Sequence, residues 1–315
     1  MGALRVAVLS NPASRRNAQG ALSRVHALLA AHPQIRHEQA IDTAALRAGI
    51  ERLLQDEPDI LVLNGGDGTV QAGLTALCEQ RGAGRLPEVA ILAGGRTNMT
   101  AADCGFGRRP DLALQDLIAG RATRVRRRLL RVQGDGDRPQ YGFFFNVGGL
   151  FDAVGECRAY RERLPVPWLR GTFATASWVC GTLGQMLLGR RPIRAVELHP
   201  RLDQRCEPGR YYILMATTLE RFALGMTPWW SQAPGTLRVT AVREPARRPL
   251  RNLPALLRGR PGPLLTEDNG YLSCNVEALE LDVGSGFSLD GEDFPVGVQH
   301  QLHLSAGPEL SLLRP

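Results

Sequence analysis

Asp59-Ile60-Leu61-Val62-Leu63-Asn64-Gly65-Gly66-Asp67-Gly68-Thr69-Val70 is the stretch on which the reading of this chain turns. An apolar run predicts a buried strand, a glycine-rich turn carrying one carboxylate follows, and a helix comes next. Glycines permit positive φ and let backbone N–H groups come close to an anion. A strand, a tight turn and a helix N-terminus in succession can hold phosphate without any side-chain cation. Asp67 among those amides would repel phosphate unless a metal ion lay between them, which points to a Mg-nucleotide site. Taken alone, the stretch also fits a plain strand-to-helix turn.

Working outward, the first 120 or so residues alternate strand and helix. Leu4–Leu9 is expected as a strand, then a turn at Ser10–Asn17 and helices near Ala18–Ala31 and Thr43–Gln55. Strand Ile60–Leu63, helix Val70–Glu79 and strand Glu88–Leu92 follow, with a second glycine turn at Ala93–Thr97. Helices near Asn98–Cys104 and Asp111–Ile118 close the series. This alternation predicts a parallel sheet covered by helices, with ligands at the carboxyl ends of the strands. Both glycine turns fall at such ends.

From about Val125 the texture changes. Leu129–Gln133, Tyr141–Val147, Ala195–Leu198, Tyr211–Ala216, Thr236–Val242, Gly270–Cys274, Ala278–Val283 and Phe287–Leu289 are expected as strands at short spacing. That pattern predicts an antiparallel sandwich or barrel. A helical insert over Pro167–Leu188 interrupts it, and Leu253–Arg258 forms a short helix. The expected division is an α/β nucleotide-binding domain over 1–124 and a β-rich substrate domain over 125–292. A C-terminal segment, 293–315, is expected to return to the first domain.

A hydrophobic content of 43% and a charged content of 22% describe an ordinary globular protein, and 315 residues suffice for two cores. All 38 basic residues are arginine. A Walker-type phosphate-binding lysine and a Schiff-base lysine are therefore excluded, so phosphate charge must be met by backbone amides, arginine or metal. The net charge of +7 favours anionic partners such as membrane surfaces or nucleotides, or serves solubility. Six cysteines with no C-x-x-C pair fit free thiols in a reducing compartment, not a disulfide frame or zinc site. No signal-peptide layout opens the chain, and the least polar stretch, Gly171 to Gly189, is too interrupted for a membrane span. A cytoplasmic protein is the expectation.

Five segments together resemble the diacylglycerol kinase catalytic-domain family, which includes sphingosine kinases and bacterial soluble lipid kinases. Ser10-Asn11-Pro12-Ala13-Ser14 is similar to its first nucleotide loop, with Arg15 where a glycine is usual. Asn64–Thr69 matches the Gly-Gly-Asp-Gly-Thr loop, and Ala93-Gly94-Gly95-Arg96-Thr97-Asn98-Met99 resembles the next loop. Asn146–Asp152 looks like the start of the second domain, and Leu289-Asp290-Gly291-Glu292 like the late Asp-Gly-Glu motif.

The resemblance implies transfer of the ATP γ-phosphoryl group to a lipid hydroxyl, in a cleft between an α/β domain and a β-sandwich. It implies that Asn11, Ser14, Gly65, Gly66, Gly68, Thr69, Thr97 and Asn98 line ATP, with Pro12, Asn64, Gly95 and Arg96 in the same loops. Asp67 would hold Mg²⁺ and Glu292 would act as general base on the lipid hydroxyl; Asp290 is counted with them as catalytic. By itself Asp290-Gly291 also reads as a hairpin turn. The implied partner is a lipid substrate at a membrane surface, with peripheral membrane association and a homodimer as further expectations.

Three departures accompany the resemblance. Met99 stands where the family has Asp, and Arg126-Arg127-Arg128 where a strand commonly carries one. Pro234-Gly235-Thr236-Leu237-Arg238 lacks both acids of a segment that holds a structural Mg²⁺ in bacterial lipid kinases, so Arg238 would supply the charge itself. Arg96 is expected either to clamp phosphate or to occupy the metal's place. A catalytically degenerate lipid- or nucleotide-binding member is therefore the alternative to a working kinase.

Trp168, Phe173, Trp178, Met186 and Leu187–Leu188, bordered by arginines, are expected either at a lipid surface or buried against the sandwich. Met226–Trp230 is open in the same way: interfacial tryptophans, or the end of a core. Arg247, Arg248, Arg251, Arg258 and Arg260 would add surface attraction or be solvated. An NAD-kinase-type reading shares the Gly-Gly-Asp-Gly loop but lacks its Asn-Glu pair, since no Asn here precedes a Glu. Nucleic-acid binding has only charge in its favour and is not expected.

Overall fold

The computed structural model describes residues 4–82, 84–95, 109–163, 177–178, 181–182, 184–185, 188, 190, 192–221, 226–284, 286–296 and 300–314. Strand β1 (Val6–Ser10) leads through a wide turn at Asn17–Ala21, with Gly20 at φ +94°, into α1 (Leu22–Ala30). Strand β2 (Arg36–Gln39) precedes α2 (Thr43–Gln55), whose first turn is capped by Asp42 accepting from the Ala45 amide at 2.8 Å. Strand β3 (Ile60–Gly65) is buried at every position, as a central parallel strand with helices on both faces must be. It feeds α3 (Asp67–Arg81), then β4 (Glu88–Ala93) and α4 (Pro110–Ile118), which begins on a proline.

Strands β1, β3 and β4 pair in parallel and in register, Val8 beside Val62 and Val62 beside Ala90. Their carboxyl ends, Ser10, Gly65 and Ala93, therefore lie side by side. One apolar cluster (Leu9, Ile50, Leu63, Leu74, Leu77, Ile91) covers one face of this sheet, and another (Val8, Val25, Val62, Leu92, Leu114) covers the other. Each fully buried leucine or valine contributes about 1.5–3 kcal/mol.

The rest of the chain builds an antiparallel sandwich. Strand β5 (Thr123–Gly134) and β6 (Gln140–Gly142) belong to the first sheet, and β7 (Phe144–Val147) to the second. Helix α5 (Gly149–Arg163) follows, then β8 (Val196–Leu198), β9 (Arg201–Leu202), β10 (Arg205–Cys206) and β11 (Gly209–Thr217). Strand β12 (Leu237–Arg243), α6 (Pro249–Leu257), β13 (Tyr271–Val276), β14 (Ala278–Val283), β15 (Gly286–Leu289), β16 (Glu292–Pro295) and β17 (His300–Arg314) complete the order. Among the described residues the second sheet runs β13-β12-β11-β7-β15-β16, with β8 beside β11. It packs on β5, β14 and β17 through Leu130, Leu214, Val239, Leu281, Leu289 and Leu302.

Strand β17 joins the two halves. Its first part pairs with β14 (Leu302 opposite Leu281), and its last part pairs in parallel with β4 (Leu312 beside Val89). Along its whole length it also pairs with β5.

Several expected boundaries move. The first strand runs from Val6 to Ser10 instead of Leu4 to Leu9, and α3 starts at Asp67 instead of Val70. Tyr141–Val147 is two strands, because the Phe143 amide donates to Asp290 (3.0 Å) and not to a neighbouring strand. Met226–Trp230 ends a core: Trp230 packs against Val242, Leu256 and Tyr271, and the Arg238 guanidinium lies 5.9 Å from the Trp229 ring centre. Most of Pro167–Leu188, including Trp168, Phe173, Met186 and Leu187, and the helix near Asn98–Cys104 lie outside the described residues. Among the described residues no helix is long and apolar enough to cross a membrane.

Candidate active site

Three loops meet at the carboxyl ends of β1, β3 and β4, and a hairpin from the second sheet reaches over them. Asn11 starts the first loop: its amide donates to the Asn64 carbonyl (2.9 Å) and its side-chain amide to Thr69 Oγ1 (2.9 Å). Its Oδ1 accepts the Ala13 amide (2.9 Å), a local turn that fixes the loop. Ser14 Oγ accepts from the Gly66 amide (3.2 Å), and the Arg16 amide donates to the Gly94 carbonyl (2.9 Å). Each loop is thus tied to the next by polar contacts that short, glycine-rich segments leave room for.

The glycines are required by proximity. A Cβ on Gly65 would collide with the Thr69 side chain; one on Gly94 would stand 3.0 Å from the Gly65 backbone and 2.9 Å from Asn64 Oδ1. Helix α3 begins with Asp67 in its first turn, where the helix N-terminus favours negative charge.

Opposite, Asp290 (φ +52°) and Gly291 (φ +85°) form the two-residue turn of the β15–β16 hairpin, with Leu289 paired to Glu292. The buried Asp290 carboxylate accepts from the Phe143 amide (3.0 Å) and the Phe144 amide (2.9 Å), and its own amide donates to the Phe144 carbonyl (2.8 Å). Burial pushes its carboxyl up to about 7; those two amides oppose the rise and the charge of Asp67 adds to it. This pinned turn delivers Glu292 to the α3 N-terminus, where a Cβ on Gly68 would stand 2.5 Å from Glu292 Oε1.

The result is a cavity of about 640 Å³, within the range that holds a nucleotide-sized ligand. Of the expected site residues, Asn11, Ser14, Gly66, Asp67, Gly68, Thr69, Gly95, Asp290 and Glu292 line it. Pro12, Asn64 and Gly65 are not among its lining residues. Asn64 is fully buried, its side-chain amide donating to Ser10 Oγ (3.1 Å), and it positions the loop from beneath. Arg96, Thr97, Asn98 and Met99 lie outside the described residues.

Sequence reading passed over other parts of the site. Asp42, Thr43, Leu46 and Arg47 at the start of α2 form one wall, and Gln71, Thr75 and Gln140 another. Asn17, buried, donates to the carbonyls of both Asn11 (2.8 Å) and Asn64 (3.3 Å). Only the fold brings these together; no local pattern marks them. Arg126 and Arg128 sit on β5 in ion pairs with Glu309 (3.4 and 4.0 Å) and do not line the cavity.

Among the described residues no group of three or more His, Cys, Asp or Glu side chains closes around a metal position. The donor set still suits Mg²⁺, which binds through one or two carboxylates plus water and phosphate oxygens. Asp67 faces the cavity beside Asp290, whose proton affinity it raises, a crowding of negative charge that a cation relieves.

Residues 5–127 match the family model of the diacylglycerol kinase catalytic domain. The fold is that of a candidate diacylglycerol kinase from Bacillus anthracis str. Sterne. One structure of it is 15% identical, covering 95% of this chain and 94% of that one, with a TM-score of 0.62. A second is 14% identical, covering 95% and 93%, with a TM-score of 0.65. A crystal structure of a diacylglycerol kinase from the same organism is 14% identical, covers 98% and 96%, and has a TM-score of 0.59. No curated protein matches the chain.

Proposed function

We propose, from the diacylglycerol kinase catalytic domain matched over residues 5–127, that this protein is an ATP-dependent lipid kinase acting on a lipid hydroxyl. One observation carries the reading: Glu292, delivered by the second sheet, lies against Gly68 of the Gly-Gly-Asp-Gly-Thr loop, beside Asp67 in a single cavity. Phosphoryl transfer needs alignment, neutralised charge and a group that accepts the hydroxyl proton. Backbone amides at the start of α3 hold the phosphates. Asp67 would hold Mg²⁺, which when bound would neutralise phosphate charge. Glu292, exposed at the cavity rim, accepts the proton of the acceptor hydroxyl. Asp290 fixes the turn that carries Glu292 and lines the same cavity. Ile41, Leu46 and Phe294 offer apolar surface to a base. The acceptor is met at a membrane surface by a cytoplasmic, peripherally associating enzyme.

Incubation with γ-labelled ATP, Mg²⁺ and a panel of hydroxylated lipids in anionic micelles tests this. A labelled lipid is expected from the wild type and none from Asp67→Ala, while Glu292→Gln loses turnover but keeps nucleotide affinity. Nucleotide binding without any labelled product would replace the kinase with a nucleotide-binding protein.

A further inference from the structure

We propose that Arg15 grips the terminal phosphate of the bound nucleotide. The inference deepens the reading above and rests on it in taking the ligand of the cavity to be a nucleoside triphosphate.

Two consecutive arginines have separate fates. The Arg16 amide donates to Gly94 O (2.9 Å) and its guanidinium to Ala93 O (3.2 Å), which fastens it to the loop after β4. Arg15 is exposed, lines the cavity, and makes no side-chain hydrogen bond or ion pair with the described residues. Its backbone is held on both sides, by Ser14 on the Gly66 amide and by Arg16 on Gly94. The long Arg15 side chain therefore starts between two glycine loops and is free to move at its far end.

Charge makes the position meaningful. Asp42, Asp67, Asp290, Glu292 and Asp293 line the cavity, whereas its basic lining among the described residues is Arg15 and Arg47. Arg47 is already engaged by Glu79 at 2.9 Å. A triphosphate entering this space meets carboxylates, the partial positive charges of the α2 and α3 N-termini and, when bound, a metal. A free guanidinium adds a planar, two-pronged donor that matches phosphate oxygens.

The terminal phosphate is the target because of where the base lies. Ser14 touches Gly66, and Gly68, two residues on, abuts Glu292. Arg15 and Glu292 thus flank the same first turn of α3. The phosphate presented to the proton acceptor is the one transferred.

The test measures binding of Mg-ATP, Mg-ADP and AMP to the full chain carrying Arg15→Gln or Arg15→Lys. Loss of a charge-assisted bond is expected to weaken ATP about 10- to 100-fold in Arg15→Gln, with ADP affected far less and AMP unchanged. Arg15→Lys should recover part of the loss, since lysine supplies charge without the fork. The melting temperature should stay at the wild-type value, because the side chain has no hydrogen-bond or ion-pair partner among the described residues. ATP affinity within about twofold of wild type in Arg15→Gln would overturn the clamp. An equal loss for AMP would do so too, by revealing damage to the loop. Wild-type protein that binds none of the three would overturn the nucleotide reading itself, a result distinct from either.

Discussion

The Glu292 carboxylate and the Gly68 backbone are in direct contact: a Cβ on Gly68 would lie 2.5 Å from Oε1 and 2.6 Å from Cδ of Glu292. Gly68 lies in α3 and Glu292 on β16 of the second sheet, 224 positions apart in the chain, so the two halves of the protein meet at the place where chemistry is expected.

Gly68→Ala separates folding from catalysis. Glu292 is exposed, and alanine favours a helix more than glycine does, so stability should change by less than about 1 kcal/mol. Displacing the carboxylate by an ångström should nonetheless cost roughly 100-fold in turnover. Unfolding curves and kinase assays on the same preparation check both halves. Wild-type turnover in this variant would mean that Glu292 need not stand where it does.

Asn17 lies beneath the site and donates to the Asn11 and Asn64 carbonyls. Asn17→Ala removes the second donor from each carbonyl, the Asn11 amide staying on Asn64 and the Ser14 amide on Asn11, which should destabilise the protein by about 0.5–1.5 kcal/mol per lost bond. Nucleotide affinity should fall with it, because the loop after β1 hangs from this side chain. Urea titration and nucleotide binding give the two numbers; an unchanged midpoint would deny Asn17 its structural part.

His37 gives a pH dependence. Burial, followed by the neighbouring His26, lowers its pKa to about 4, with Glu38 opposing, while Nε2 contacts Ser10 Oγ at 3.0 Å. The unfolded chain takes up that proton near pH 6.5, so it binds more protons than the folded state between about 4 and 6.5. The contribution is fully present above about 6.5 and is lost as pH falls toward 4. Partial solvent exposure scales it to roughly 1–2 kcal/mol. His37→Gln, which keeps a hydrogen-bonding group, should flatten the stability difference between pH 7 and pH 5 in urea titrations; an unaltered slope would assign it elsewhere.

Arg238 donates to the carbonyls of Thr218 (3.4 Å) and Leu219 (3.2 Å) from within the second sheet. A positive charge that belongs to the chain itself should make the melting temperature indifferent to EDTA. Arg238→Ala should lower stability by about 1–3 kcal/mol. A melting temperature that drops with EDTA and returns with Mg²⁺ would show a structural ion here after all.

The sequence was most legible where local chemistry and final position agree. Ile60–Leu63 had to be buried and the glycines after it had to turn; the phosphate-loop reading needed the other four segments beside it. Legibility ended where tertiary contacts decide. Arg36–Gln39 is strand because β1 offers it an edge, although its residues are polar. Arg124, Arg126 and Arg128 form one exposed face of β5, matched to Glu88 and Glu309, and such a row hides a strand from any apolar count. Gly307-Pro308 within β17 reads as a break, yet it falls at an irregularity in the pairing with β5, and the strand continues. Among the site residues, those in contiguous loops were visible, whereas Asn17, Arg47 and Gln71 acquire their places only when helices and hairpin converge.

Strand β17 has a consequence for how the protein can be cut. Ser311 approaches Glu88 across 223 residues, and Leu312–Leu313 cover the flank of β4 at Val89–Ala90. A fragment limited to residues 5–127 would contain every phosphate loop and still lack this cover. Its β4 would present bare amides and carbonyls to any passing strand. The α/β half is therefore not a detachable module: it needs a strap from the far end of the chain, and fragments made by dissection should aggregate through β4 unless that strap is supplied.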